Sequence, residues 1–169
     1  SARLAAREFG NRVRVIDSEQ LSLGTGFQVL AAAEASGKGA ELEEVLAQVE
    51  SVRRHVRVMA LLESIEYVRR SGRVSWAKAI IGSLLRIQPL FEVRHGIVQR
   101  AGQVRTRRQG IARLKEILFN LGPIGRLAIL HTNAENTARM FLEEVKPLVP
   151  GTPFLANVTT TIGTHVGPN

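Results

Sequence analysis

Short β-branched runs alternate with amphipathic helical patterns along the 169 residues of the chain. Four runs have the length and composition of strands, at residues 13–16, 56–61, 127–130 and 154–161. This alternation predicts an α/β fold with mixed, mainly parallel sheets flanked by helices. Ligands of such sheets bind beyond the carboxyl ends of the strands. Residues 162–168 follow the last run, so we expect a ligand near them.

Helical patterns occupy the segments between these runs, and most have a recognisable start or stop. One predicted helix begins with Thr132 and Glu135 in the spacing of a capping box. Residues 89–105 alternate in short runs with turns at 95–96 and 101–102, which predicts a small antiparallel meander. The other predicted helices cover residues 22–37, 41–55, 65–72, 75–88 and 107–121.

The composition excludes several protein classes. Cysteine is absent, which excludes disulfides, cysteine-bearing zinc sites and thiol catalysis. The longest apolar runs are too short to span a bilayer, and the first ten residues carry arginines in an amphipathic pattern rather than a signal peptide. We therefore expect a soluble, cytoplasmic protein.

The net charge of +8 is concentrated in the middle of the chain. Residues 51–115 carry a net charge of +12, and 19 of the 23 basic residues in the chain are arginine. Arginine favours bidentate recognition of carboxylate or phosphate groups, so one reading is a nucleic-acid-binding module. The other reading is a solvated, arginine-rich surface, and the charge alone does not decide between them.

Catalytic and metal-binding patterns are missing. The four histidines, at 55, 95, 131 and 165, follow no metal-ligand spacing, and there is no nucleophile elbow or phosphate-binding loop. His131 ends a predicted strand just before a helix, where capping or packing is the more common role. The sequence therefore predicts no metal site and no catalytic residue.

Three segments place anion-binding side chains at the boundaries of predicted elements. Arg73 lies between a helix-ending glycine and a helix cap, and Arg105 precedes a helix N-terminus, where anions are favoured. Thr164 and His165 lie between glycines after the last predicted strand. A small-anion or phosphoester enzyme built on Arg73, Arg105 and His165 is one further hypothesis, although it has no nucleophile or paired acid.

Taken in order, the motifs of the chain resemble those of the DegV family of bacterial fatty-acid-binding proteins. The resemblance covers residues 1–169, and its most specific parts are GRVS at 72–75 and GTHVGP at 163–168. The other matching motifs are VIDS, LSLGTG, LESIEYVRRS, LLRIQPLFEVRHGIV, QVRTRRQG and LHTNAEN.

The resemblance implies a two-domain α/β architecture with an incomplete N-terminal domain. Residues 1–62 correspond to the last part of the N-terminal domain, and residues 63–169 to the C-terminal domain with its meander. The family also has small hydroxyl residues that bind the ligand carboxylate, and these would lie upstream of Ser1. The resemblance therefore implies a fragment with a partial site.

The resemblance also implies a carrier that is not an enzyme and uses no cofactor. Its ligand is a long-chain fatty acid, and its partner is a fatty acid kinase that phosphorylates the carboxylate. His165, with Thr164 beside it, corresponds to the carboxylate-binding end, and Arg73 and Arg105 correspond to basic residues near the pocket mouth or the partner surface. The residues that correspond to the wall of the acyl tunnel are Ile80, Ile81, Leu84, Leu85 and Leu90.

Two positions depart from the family pattern. Gln88 stands where many relatives have lysine before the proline, and Trp76 is unusually bulky. Both positions lie in or near the segment of the expected tunnel wall, so the charge and shape of the wall are expected to differ from those of relatives.

Overall fold

The computed structural model of the protein describes residues 1–72 and 87–167. The chain divides into two compact units, Ser1–Val56 and Arg57–Asn169. The division lies six residues before the expected boundary at 62/63. Strand β1 (Val58–Leu61) explains the difference, because it pairs with a later strand of the second unit.

The first unit is helical. After the short helix α1 (Ala2–Ala6) and a 3₁₀ segment (Arg7–Arg12), it contains two packed helices, α2 (Leu23–Gly37) and α3 (Leu42–His55). Both of these helices were predicted, and a capping box of Glu41 and Glu44 starts α3.

The predicted strand at residues 13–16 is not formed. These residues have no regular secondary structure, and no strand pairs with them among the residues that the structure describes. Val13, Val15 and Ile16 are each about two-fifths exposed. A strand needs a neighbour for its backbone N–H and C=O groups, which a β-branched pattern cannot supply by itself.

The second unit begins with an antiparallel sheet in the order β1-β2-β3. Helix α4 (Glu66–Ser71) follows β1, and β2 (Gln88–Arg94) and β3 (Ile97–Val104) form the predicted hairpin with its turn at His95 and Gly96. The turn predicted at 101–102 is instead part of β3. Leu90 pairs with Gly102 whereas Phe91 pairs with Arg100, so Ala101 is the extra residue of a β-bulge.

A parallel strand pair forms the second sheet. Helix α5 (Arg107–Phe119) leads to β4 (Ala128–His131), and helix α6 (Glu135–Val145) with a 3₁₀ turn (Lys146–Leu148) leads to β5 (Phe154–Asn157). The mixed α/β class is confirmed. Mainly parallel pairing is wrong for the described strands, since two of their three pairings are antiparallel.

Two predictions about the last part of the chain are also wrong. The strand expected over 154–161 ends at Asn157, and Thr160–Val166 forms helix α7. The packing of Val166 against the core outweighs the β-propensity of the threonines. Thr132 does not cap α6, whose N-cap residue is Ala134 without a side-chain hydrogen bond. Among the described residues, no helix has the length and apolarity to cross a membrane.

Candidate functional site

Helix α7 carries Thr164 and His165, the two residues expected at a ligand carboxylate. Thr164 is exposed, and its Oγ1 donates a hydrogen bond to the carbonyl of Thr161 at 2.9 Å. His165 is half-buried in the last turn of the helix. The structure therefore places the two side chains on one short helix, rather than in the loop expected at a strand end.

One face of α7 packs against the rest of the second unit. Gly163 lies close to Thr132, since a Cβ on the glycine would be 3.6 Å from the threonine methyl group. Val166 packs against the buried cluster of Leu62, Val68 and Phe91. At 100° per residue, Gly163, Val166 and Gly167 share this face, whereas Thr164 and His165 point away from it.

Helix α4 contacts α7 and is stabilised by ion pairs along its exposed side. The carboxylate of Glu66 accepts hydrogen bonds from Arg69 at 2.7 and 2.8 Å and from Arg70 at 2.7 Å. These hydrogen bonds lower the pKa of Glu66 to about 2 and raise the pKa of Arg69. The helix ends at Gly72, whose φ of 65° is the left-handed conformation that glycine adopts readily.

Several expected site residues follow this glycine and lie outside the described residues. They are Arg73 and four of the residues assigned to the acyl-tunnel wall, Ile80, Ile81, Leu84 and Leu85. The fifth, Leu90, is in β2 and has no exposed surface. It therefore belongs to the buried core of the second unit.

Arg105 lies at the entrance to α5. Its backbone N–H donates to the side-chain oxygen of Gln109 at 3.1 Å, and the Gln109 N–H donates to the hydroxyl of Thr106 at 3.3 Å. These reciprocal bonds cap the helix and fix the backbone of Arg105, whose side chain is exposed. Arg105 thus lies on a different element from Thr164 and His165.

An open polar groove of about 480 Å³ lies at the carboxyl ends of β4 and β5. Nδ1 of His131 accepts a hydrogen bond from the Ala134 N–H at 3.3 Å, and Oδ1 of Asn157 accepts from the Asn133 N–H at 3.2 Å. His131 thus makes a capping contact and also lines the groove. The residues lining the groove are His131, Asn133, Glu135, Asn136, Arg139, Leu155, Ala156 and Asn157.

The sequence reasoning did not single out most of this lining. The available signal was a polar residue at or just beyond each strand end, since Asn157 is the last residue of β5 and Asn133 lies two residues after β4. Arg139 reaches the groove from the second turn of α6 and pairs with Glu135 at 2.5 Å. The lining is mostly polar, which suits a small hydrophilic group better than an acyl chain.

Ion pairs occupy many arginines of the basic middle segment. Arg57 Nε lies 2.6 Å from the Glu92 carboxylate, and this hydrogen bond raises the pKa of Arg57. Arginines of the segment that also have acidic partners include Arg53, Arg54, Arg69, Arg70 and Arg113. This pairing reduces the positive charge available to a nucleic-acid backbone. In residues 1–72 and 87–167, no three His, Asp or Glu side chains are grouped to bind a metal ion.

Comparisons with known proteins give a consistent likeness over the whole chain. Residues 1–169 match the model of a family described as uncharacterised protein, DegV family. A DegV domain-containing protein of Streptomyces coelicolor is 33% identical over 172 residues, which are 99% of this chain and 61% of the relative.

Two solved structures have similar folds. The fatty-acid-binding DegV family protein of Thermus thermophilus is 30% identical with a TM-score of 0.83, over 99% of this chain and 62% of that one. DegV of Bacillus subtilis, a fatty acid binding protein, is 30% identical with a TM-score of 0.79, over 93% of this chain and 57% of that one. The chain thus spans about three-fifths of the length of these relatives.

Proposed function

The chain belongs to the DegV family, and we propose that it forms part of a carrier that buries a long-chain fatty acid and presents the carboxylate to a partner fatty acid kinase. The observation that supports this most is the likeness to the fatty-acid-binding protein of Thermus thermophilus, which extends over 99% of the chain. The role is binding and presentation, without catalysis by the carrier.

Thr164 and His165 are the proposed contacts of the carboxylate. They lie on the side of α7 that is turned away from its packed face, and both side chains can donate hydrogen bonds. The Thr164 hydroxyl now donates to Thr161, so it must rotate to donate to a ligand. A hydrogen bond to a charged group is worth about 1.5–3 kcal/mol, so these two contacts orient the head group and make a modest contribution to affinity.

The acyl chain is the proposed main source of affinity. Burial of about fourteen methylenes at about 0.8 kcal/mol each gives roughly 11 kcal/mol before the entropic costs of binding. We assign the wall to Ile80, Ile81, Leu84, Leu85 and Leu90, of which the fully buried Leu90 is the described member. The polar groove beyond β4 and β5 is not assigned to the acyl chain.

Lipid extraction tests the binding proposal. The full gene product is purified and extracted, and the extract is analysed by mass spectrometry. We expect a long-chain fatty acid in a near-stoichiometric amount, and a rise in the melting temperature when fatty acid is added to delipidated protein. A gene product that neither retains nor responds to fatty acid would overturn the proposal.

The variant His165→Ala tests the head-group assignment. Loss of a charge-assisted hydrogen bond is expected to weaken binding by about tenfold or more while the acyl chain remains bound. The matched control is His95→Ala, in the exposed hairpin turn, which should bind as the wild type does. Equal effects of the two substitutions would remove His165 from the site.

The kinase step needs a separate assay. The γ-phosphoryl group of ATP passes to a carboxylate oxygen of the bound fatty acid, which yields an acyl phosphate and ADP. We expect product only when carrier, kinase and ATP are all present, and slower turnover for Arg73→Ala and Arg105→Ala at unchanged fatty-acid affinity. Acyl phosphate formed without the kinase would show that the carrier is itself an enzyme.

A further inference from the structure

We propose that Tyr67 is a positioning residue that fixes the carboxyl end of α7 and thereby the side chain of His165. This inference rests on the proposed function, because His165 is the proposed carboxylate contact. Its structural basis is the contact between the Tyr67 ring and Gly167.

Gly167 packs directly against the Tyr67 ring. A Cβ on Gly167 would lie 2.7 Å from Cε2 and 2.9 Å from Cγ of the ring, closer than any side chain could approach. Gly167 is buried, and its φ of 77° is in the left-handed region that favours glycine. Glycine is therefore required here both by the backbone and by the ring.

Helix α7 needs such contacts to keep its orientation. A helix of seven residues is unstable in isolation, because isolated helices below about 12–15 residues are marginal in water. Its packed face touches the rest of the unit through Gly163, Val166 and Gly167. The Tyr67 contact lies two residues beyond His165, so it limits rotation at the end of the helix that carries the imidazole.

The backbone of Tyr67 is itself well fixed. The neighbouring Val68 is 7% exposed and packs in the core beside Phe91 and Leu62. On the exposed side, Glu66 binds both Arg69 and Arg70. Tyr67 is 40% exposed, so loss of its ring leaves no closed cavity in the core, and its positioning effect can be separated from folding.

The test uses the full gene product with Tyr67→Ala and Tyr67→Phe. For Tyr67→Ala we expect about tenfold faster amide exchange at residues 163–167 and shifted imidazole NMR signals of His165. Palmitate should bind about tenfold more weakly, because roughly one charge-assisted hydrogen bond to its carboxylate is lost. Tyr67→Phe keeps the ring and should match the wild type. Phe119→Ala removes an exposed aromatic ring from α5 and is the control for non-specific effects.

A double-mutant cycle provides an independent measurement. Gly167→Ala places a methyl group against the ring, so we expect a larger increase in exchange at 163–167 with Tyr67 present than in the Tyr67→Ala background. Only the backbone strain at Gly167 remains when the ring is gone. Additive effects would contradict direct coupling, as distant sites usually behave additively.

The outcomes separate the two proposals. Unchanged exchange and unchanged His165 signals in Tyr67→Ala would overturn the positioning role, whatever the protein binds. A wild-type protein without fatty-acid affinity would overturn the carrier function, while exchange and imidazole signals would still decide whether Tyr67 fixes α7. A Tyr67→Phe variant that differs from the wild type in exchange or in His165 signals would show that the hydroxyl group positions α7, and would overturn the proposed role of the ring.

Discussion

The two units differ in what stabilises them. In Ser1–Val56 the described side chains leave many large apolar residues exposed, including Leu4 and Val29, which are 62% and 61% exposed. In the second unit Leu90 and Val145 have no exposed surface, and Leu62, Val68 and Phe91 form a buried cluster. Among the described residues, Val49 is the one buried apolar residue of the first unit, whereas nine are buried in the second.

Polar contacts also stabilise the first unit. Gln28 is 3% exposed, and its side-chain nitrogen donates to the carbonyls of Ser18 at 2.9 Å and Gly24 at 3.3 Å. Arg53 lies 2.6 Å from Glu50 and donates to the carbonyl of Asp17 at 3.2 Å. Because such bonds contribute about 1 kcal/mol each, the first unit should tolerate apolar truncation far better than the second.

The largest expected difference between the units is in the loss of unfolding free energy when a side chain is truncated, as a comparison of Leu90 with Val29 shows. Leu90→Ala should lower the free energy of unfolding by about 2–5 kcal/mol, because it leaves a cavity at a fully buried position. Val29→Ala removes a mostly exposed side chain and should cost less than about 0.5 kcal/mol. Urea unfolding followed by circular dichroism measures both, and similar costs would contradict the contrast in packing.

Two helical glycines give a smaller contrast. A Cβ on Gly110 of α5 would lie 2.5 Å from both methyl groups of Leu61, whereas a Cβ on Gly37 of α2 would have no atom within 4 Å. Gly110→Ala should destabilise the second unit by about 1–3 kcal/mol through overpacking. Gly37→Ala should stabilise the first unit by about 0.5–1 kcal/mol, because alanine favours the helix. Thermal unfolding measures both effects. Melting temperatures that shifted in the same direction in the two variants would contradict this contrast.

The sequence predicted elements with local signals better than elements that depend on a partner. Helices α2, α3, α4 and α5 and the β2–β3 hairpin formed as expected, since caps, turns and periodicity lie within each segment. The run at 13–16 failed because a strand depends on a neighbour that the periodicity does not reveal. Among the described strands, the parallel fraction was overestimated for the same reason, because β1 pairs antiparallel with β2 of the hairpin.

The candidate site shows the same limit. The motif predicted that Thr164 and His165 lie together, and the structure places both on α7. It did not predict the helix, nor the contact of Gly167 with Tyr67, which is about one hundred residues earlier in the chain. Local pattern identifies polar residues at element ends, but the packing that orients them comes from distant segments.

The smallest expected contrast concerns surface ion pairs. The folded-state pKa of Glu66 is about 2, below the ordinary value of 4.5, so its stabilising contribution is fully present above pH 4.5 and is lost as the pH falls towards 2. Wild-type thermal stability should therefore fall more steeply between pH 4.5 and 2 than that of Glu66→Gln.

The matched variant in the first unit is Glu43→Gln, since Glu43 lies 3.8 Å from Arg14 on an exposed surface. It should keep the wild-type slope, because exposed pairs at this distance contribute little. Melting curves at several pH values measure both slopes, and 1 M salt should reduce the difference because Glu66 is solvent-exposed. A Glu66→Gln slope equal to that of the wild type would show that its hydrogen bonds to Arg69 and Arg70 do not stabilise α4.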